Sequence, residues 1–278
     1  MTEAAAPSPP LDAAWDCHVH VFDAAWPRPP GHAGHYEVHT HTLGDAMAQA
    51  AVAGVERLVL VQPSIYGGDN RLLLRALAQA PGRHRGVVVL GATATAAELA
   101  ELHGAGVRAL RLNLVSPLGT CSLEEAQAQL ARLAPDLRAL GWHVQWYAGA
   151  GQLAALAELQ AKLGLVFVLD HLAGLNATAD AQAWRAAQTL ARGGAWIKLS
   201  GWYRLGANRA PYDTMHRAVE RAIDVFGPRC VWGSDWPHTG LAPALCPGYA
   251  ELLAPLAMSA GDSRWRAVMI EAPLRLYD

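Results

Sequence analysis

Short apolar runs alternate with longer stretches of helix-forming composition along most of this chain. The apolar runs are Trp15–Val21, Arg57–Val61, Gly86–Leu90, Arg108–Asn113, Trp142–Tyr147, Leu165–Asp170, Ala195–Leu199 and Cys230–Gly233. Between them lie Leu43–Ala53, Asn70–Ala80, Ala97–Ala105, Leu123–Leu140, Gln152–Leu163, Ala179–Ala191 and Tyr212–Phe226, and Tyr249–Leu276 can supply a last helix and a C-terminal cap. Strands this apolar are those of a parallel sheet covered on both faces, and strict strand–helix alternation builds such a sheet. Eight repeats predict an α/β fold, a single-domain (β/α)8 TIM barrel over residues 15–278,. No charge run or Gly/Ser linker divides it.

A barrel makes a statement about polar residues, because side chains at the C-terminal ends of its strands line the active site. Polar groups recur at those ends: Gln62 and Ser64, Arg111 and Asn113, Tyr147, Asp170-His171, Lys198 and Ser200, and Ser234-Asp235-Trp236-Pro237-His238. On the fifth strand His143, Gln145 and Tyr147 alternate with Trp142, Val144 and Trp146. The first strand reads Asp16-Cys17-His18-Val19-His20, and alternation places His18 and His20 on one face,. A lone His-x-His is as often merely buried and hydrogen-bonded; polar groups at so many strand ends favour a site. The long Pro/Gly/His connection from Ala24 to His41 should cover the barrel mouth, and its His32, His35, His39 and His41, without ligand spacing, are expected to be solvated or structural. Gly67-Gly68-Asp69-Asn70 lacks the ending of a phosphate loop, so Asp69 or Asn70 is expected to cap a helix, and Gly193-Gly194 to end one,.

Composition narrows the class. Of 278 residues, 52% are hydrophobic and 17% charged, as in a compact enzyme with a large core,. The 22 basic and 24 acidic residues nearly balance, which gives no electrostatic case for nucleic acid or membrane partners,. The four cysteines, Cys17, Cys121, Cys230 and Cys246, have no C-x-x-C spacing, which points to reduced thiols in a cytoplasm,. Residues 1–14 are expected to form a disordered Ala/Pro-rich tail, without the charge and apolar run of a signal peptide,. No apolar run is long enough for a membrane span,. Oligomeric state has no signature here.

Eight ordered motifs carry a resemblance. They are D-C-H-V-H-V-F at Asp16–Phe22, V-Q-P-S at Val61–Ser64, G-D-N-R at Gly68–Arg71, G-V-R-A-L-R-L-N at Gly106–Asn113, G-W-H-V at Gly141–Val144, D-H at Asp170–His171, K-L-S-G-W-Y-R-L at Lys198–Leu205 and W-G-S-D-W-P-H at Trp232–His238. In this order and at barrel spacing, they resemble the amidohydrolase superfamily, in the branch that holds the 2-pyrone-4,6-dicarboxylate lactonases.

The resemblance implies hydrolysis of a small lactone or carboxylate substrate. Asp235 would be the base that activates water, and His18, His20 and His171 would polarise the carbonyl. Arg111, Arg204, Tyr147, Ser64 and Tyr36 fall in the substrate-holding positions, with arginine suited to carboxylates. Superfamily members commonly hold one or two divalent metals. Here Arg111 or Asn113 stands for the strand-four ligand and Tyr147 for the strand-five histidine, which disfavours two metals,. No metal is expected to be required; a single Zn or Mn could bind His18, His20 and Asp235. Where the lactonases have a basic pair after strand four, this chain has Val115-Ser116-Pro117-Leu118, so one carboxylate clamp is expected to be missing unless Lys198 or Arg209 compensates. The alternatives are a mononuclear metal-dependent amidohydrolase or decarboxylase, and a non-catalytic organic-acid binder.

Overall fold

The computed structural model describes residues 14–30, 36–118, 121–176, 178–207 and 209–278. Eight parallel strands run in sequence order: β1 (Ala14–Val19), β2 (Val55–Val61), β3 (Arg85–Val88), β4 (Val107–Asn113), β5 (His143–Tyr147), β6 (Phe167–Leu169), β7 (Trp196–Leu199) and β8 (Cys230–Trp232). Each neighbouring pair is parallel and in consecutive order, and helices fill the crossovers, so the expected single-domain (β/α)8 barrel is the fold,. Ala14, left in the tail by the sequence pattern, opens β1; the rest of that tail, with His32 and His35, lies outside the described residues.

Local sequence sets the helix starts. Thr42 with Asp45 and Ser122 with Glu125 form reciprocal capping boxes ahead of α1 (Leu43–Ala51) and of the helix Leu123–Ala139,. Asn70 does occupy a cap position, before the helix Arg71–Leu77, but it caps nothing. Its amide instead bridges Val89, donating to the carbonyl at 2.8 Å and accepting from the N–H at 3.1 Å, which ties the helix to the exit of β3. Asp69 accepts from the Arg71 N–H at 3.2 Å and pairs with its guanidinium. Gly193 ends the helix Ala181–Arg192 as expected.

One apolar layer packs the strands' outer face against the helices. A second, containing Trp15, Cys17, Val59, Val61, Val87, Ala109, Val168 and Val231, fills the barrel interior, with Tyr277 from the last helix packed against it. In β1 the register shifts between Asp16 and Val19. That irregularity lets Cys17 join the interior layer while His18 and His20, on the opposite parity, still face the other site residues. The seam between β1 and β8 is closed by main-chain bonds, Asp235 N–H to the His18 carbonyl and His20 N–H to that of Trp236, both 2.9 Å. Below them the buried Asp16 carboxylate accepts from the His18 and Ser234 N–H groups at 2.9 Å and from the Tyr249 hydroxyl at 2.6 Å. Among the described residues no helix is long and apolar enough to cross a membrane.

Candidate active site

Strands 1, 6 and 8 bring four polar side chains to one point at the C-terminal mouth. Asp235 Oδ1 lies 3.7 Å from His18 Nε2, 3.6 Å from His20 Nε2 and 3.8 Å from His171 Nε2. All four residues are buried. His18 Nε2 and Asp235 Oδ1 have no hydrogen-bond partner within the described protein. Buried polar atoms left this way are rare and point to a group that completes them.

The other carboxylate oxygen is fully engaged. Asp235 Oδ2 accepts from Arg204 Nε at 2.6 Å and from the Tyr203 hydroxyl at 2.8 Å. Burial by itself would push this carboxyl up, but the Arg204 guanidinium and then the histidines hold it well below the usual carboxylate range,. Burial pushes His18 well below the ordinary histidine value, and His171 down to about 4 against the pull of Asp235.

The partners of the inner ring nitrogens divide the histidines into two kinds. His20 Nδ1 lies 2.7 Å from the Val61 carbonyl, which can only accept, so the ring proton sits on Nδ1 and a neutral His20 offers a lone pair at Nε2,. His171 Nδ1 lies 3.0 Å from Ser200 Oγ, a group able to donate. His18 Nδ1 lies between the Lys198 ammonium at 3.5 Å and Asp170 Oδ1 at 3.4 Å. His171 can therefore carry a proton at Nε2 while neutral, and His18 can do so when its Nδ1 accepts from Lys198 instead of donating to Asp170. His20 cannot.

The backbone around these groups is strained and tightly shaped. His171 and Asp235 have φ of 50° and 61°, a left-handed conformation that costs non-glycine residues energy and concentrates at functional sites,. Two glycines make the room. A Cβ on Gly201 would lie 2.5 Å from His171 Nδ1, and one on Gly233 would lie 2.6 Å from the His18 Cβ. Both sit inside quoted motifs, but spacing alone does not show which ring each accommodates.

Above this centre is a cavity of about 370 Å³ lined by His20, Tyr36, Ser64, Arg111, Tyr147 and Arg204 among others, with Val115 to Leu118 along one side. All the substrate-holding residues expected from the sequence thus border one space. Arg204 also carries a second duty, the pairing with Asp235. Tyr147 lies between two cations, its ring centroid 5.6 Å from the Arg111 guanidinium and 5.7 Å from that of Arg204. Lys198 and Arg209 do not compensate for the missing basic pair. Lys198 is fully buried, donating to Gln145 Oε1 at 2.6 Å and the Cys17 carbonyl at 2.9 Å, and Arg209 is exposed.

Other polar strand-end residues support the site without lining it. Gln62 donates to the Gly67 and Asp69 carbonyls, and Asn113 pins the following turn by donating to the Leu118 carbonyl and accepting from the Val115 and Ser116 N–H groups. His143 faces the barrel interior as its alternation implied, but near the bottom, against the Tyr277 ring. His39 is exposed beside Glu37, and His41 packs on Trp236. Tyr203 is the partner that sequence reasoning passed over; its place beside Arg204 was the available signal.

The residues also pass a chemical test for a cation, with one change from the expected ligand set. The ligand atoms within 4.8 Å of one another belong to His18, His171 and Asp235. His20 is not one of this group; His171 takes the place expected for it. Two imidazoles and a carboxylate suit a single divalent ion such as zinc.

A parallel barrel with three imidazoles and a carboxylate converging at its C-terminal mouth has the build of an enzyme active site,. The sequence profile of the amidohydrolase family matches residues 15–278, and the chain is an enzyme belonging to that family. Among its relatives is a 4-sulfomuconolactone hydrolase of Rhizobium radiobacter, 28% identical over 271 residues, covering 95% of this chain and 89% of the relative. A 2-pyrone-4,6-dicarboxylate hydrolase of Comamonas testosteroni is 28% identical over 281 residues, covering 95% and 90%. A crystal structure of a candidate 2-pyrone-4,6-dicarboxylic acid hydrolase from Pseudomonas putida superimposes with a TM-score of 0.83 at 31% identity, covering 96% and 97%.

Proposed function

We propose that this enzyme opens the ring of a small carboxylated or sugar-acid lactone by attack of water. One observation carries the proposal: Asp235 has one oxygen fixed by Arg204 and Tyr203 and the other free among three imidazole nitrogens, beneath a cavity of about 370 Å³. The relatives named as lactone hydrolases support the choice of substrate class.

Asp235 Oδ1 and His20 Nε2 are both acceptors, so a water between them donates one hydrogen to each and keeps a lone pair for the carbonyl. Asp235 is the general base that takes the proton as the C–O bond forms. This assigns His20 to the water rather than to the carbonyl oxygen. His18 and His171, able to hold Nε2–H, donate to the oxygen as it gains charge. The proton on Asp235 is then returned to the departing ring oxygen, giving a hydroxy acid and restoring the carboxylate. Tyr36, Ser64, Tyr147 and the two arginines hold the ring over these groups.

The reading requires no metal. His18, His171 and Asp235 would hold a divalent cation if one binds, and it would supply Lewis-acid polarisation and a more acidic water,. A lactone panel that includes 2-pyrone-4,6-dicarboxylate and sugar-acid lactones, assayed with chelator-treated protein, tests this. Turnover without metal supports the proposal. Activity only after zinc or manganese is restored makes those three residues ligands, and failure on every lactone in both states overturns the lactonase assignment.

A further inference from the structure

We propose that the cavity selects a substrate with a single carboxylate, bound by Arg111, on an otherwise uncharged ring. The inference rests on the lactone-opening reading for the reaction but not for the binding.

It follows from how the buried charges at the mouth are matched. Three cations, Arg111, Lys198 and Arg204, face two carboxylates, Asp170 and Asp235. Arg204 is joined to Asp235 at 2.6 Å. Lys198 lies 3.4 Å from Asp170 Oδ1, and its other contacts are the Gln145 and Cys17 oxygens and His18 Nδ1. Asp170 Oδ2 already accepts from Gln145 at 3.0 Å. Lys198 and Arg111, at 3.4 and 3.5 Å, thus share Asp170, and the group holds one cation more than it has carboxylates; of the two, Arg111 is the one that borders the cavity.

Its hydrogen bonding agrees. Arg111 Nε faces Asp170 Oδ2 at 3.5 Å without forming a hydrogen bond, and Nη1 makes two long contacts, 3.3 Å to Ser64 Oγ and 3.5 Å to the Gln62 carbonyl. The residue is only 4% exposed, yet it borders the cavity. A buried guanidinium with poorly used donors, sharing its one carboxylate with Lys198, is completed by an anion, and a carboxylate matches its planar fork,.

Nothing further is charged to receive a second anion: among the described residues Arg111 and Arg204 are the only lysine or arginine side chains lining the cavity, and Arg204 is paired with Asp235. Val115, Ser116, Pro117 and Leu118 form one part of the cavity wall. This wall is held in place rather than adaptable, because Asn113 bonds the Leu118 carbonyl at 2.8 Å and the Val115 and Ser116 N–H groups at 3.0 and 2.8 Å. A second carboxylate would find no unpaired cation in this cavity,.

Binding of benzoate and of isophthalate (one and two carboxylates on the same ring) to chelator-treated protein, measured by titration calorimetry, tests the proposal apart from turnover. Benzoate is expected to bind at least ten-fold more tightly than isophthalate. Arg111→Met should weaken benzoate by more than ten-fold, and Val115→Arg, at a half-exposed position, should bring isophthalate level with benzoate or ahead of it. Equal or tighter binding of isophthalate to the unaltered protein overturns the proposal, as does undetectable benzoate binding. If Arg111→Met fails to fold, the benzoate-to-isophthalate ratio and the Val115→Arg variant still decide. In the lactone panel, monocarboxylate lactones should be preferred over dicarboxylate and neutral ones; no turnover at all counts against the lactonase reading and leaves the binding ratio to judge this one.

Discussion

Arg204 grips Asp235 from the side away from the histidines, its Nε 2.6 Å from Oδ2, while Oδ1 points into the cluster of imidazole nitrogens. The two oxygens of one carboxylate thereby have different surroundings. Oδ2 is anchored, and Oδ1 is left to serve as the base in the proposed reaction. The pairing also keeps Asp235 ionised across the range in which an isolated buried carboxyl would take up a proton,.

Removing the anchor should therefore show in the pH profile as well as in the rate. In Arg204→Met the Asp235 carboxyl loses its nearest cation, so its pKa rises and the acid limb of kcat moves to higher pH. Tyr203→Phe should shift it less. A kcat loss of about ten-fold or more for Arg204→Met is expected; an unchanged acid limb in both variants would detach the pair from the base.

Asp235→Asn removes the proton acceptor while keeping the shape. Its kcat should fall by about a hundred-fold or more, with an unchanged circular dichroism spectrum. Turnover near the unaltered level would remove Asp235 from the reaction.

The two close-packed glycines offer a test of site geometry. Gly201→Ala and Gly233→Ala each press a Cβ to within 2.6 Å of a site histidine, and Gly201 also has a φ of 65°. A cost of about 1–3 kcal/mol in stability is expected from strain of this kind, with kcat reduced as His171 or His18 is displaced. Gly91→Ala, with nothing within 4 Å, is the control and should change neither.

Burial lowers His18, His171 and His238, and two further histidines away from the catalytic cluster add to the same loss of stability in acid. His84 accepts from the Leu58 N–H at 3.1 Å, and burial followed by nearby arginines brings it down to about 4; burial and then Lys198 bring His143 down to about 3. In the unfolded chain both titrate near about 6.5. The unfolded state thus binds more protons below that pH, so this contribution is complete above about pH 6.5 and is lost as pH falls toward the folded values. Each group gives a slope of up to about 1.4 kcal/mol per pH unit. Asp16, pushed up to about 6 by burial, opposes them with one proton. Urea unfolding between pH 7.5 and 4.5 should show stability declining with acid, less steeply in His143→Leu, whose two ring nitrogens have no hydrogen-bond partner within the described protein. An unchanged slope in that variant would refute the assignment.

Much of this enzyme is legible without coordinates. Burial on both faces imposes apolar strands, and helix caps such as Thr42 and Ser122 are local devices, so the alternation along the chain specified the barrel and nearly every strand to within a few residues. A barrel turns position into place, so His18, His20, His171 and Asp235 could be assigned to one mouth from their strand ends. Tertiary structure alone decided which partners those groups have. His20 Nδ1 meets a carbonyl 41 residues away, and Arg204 reaches Asp235 because β7 and β8 are neighbours. The sharing of Asp170 by Arg111 and Lys198 and the closeness of Gly201 to His171 arise in the same way. Hydrogen-bond direction, charge matching and van der Waals clearance depend on ångström-scale distances between remote segments, and a one-dimensional pattern does not carry them.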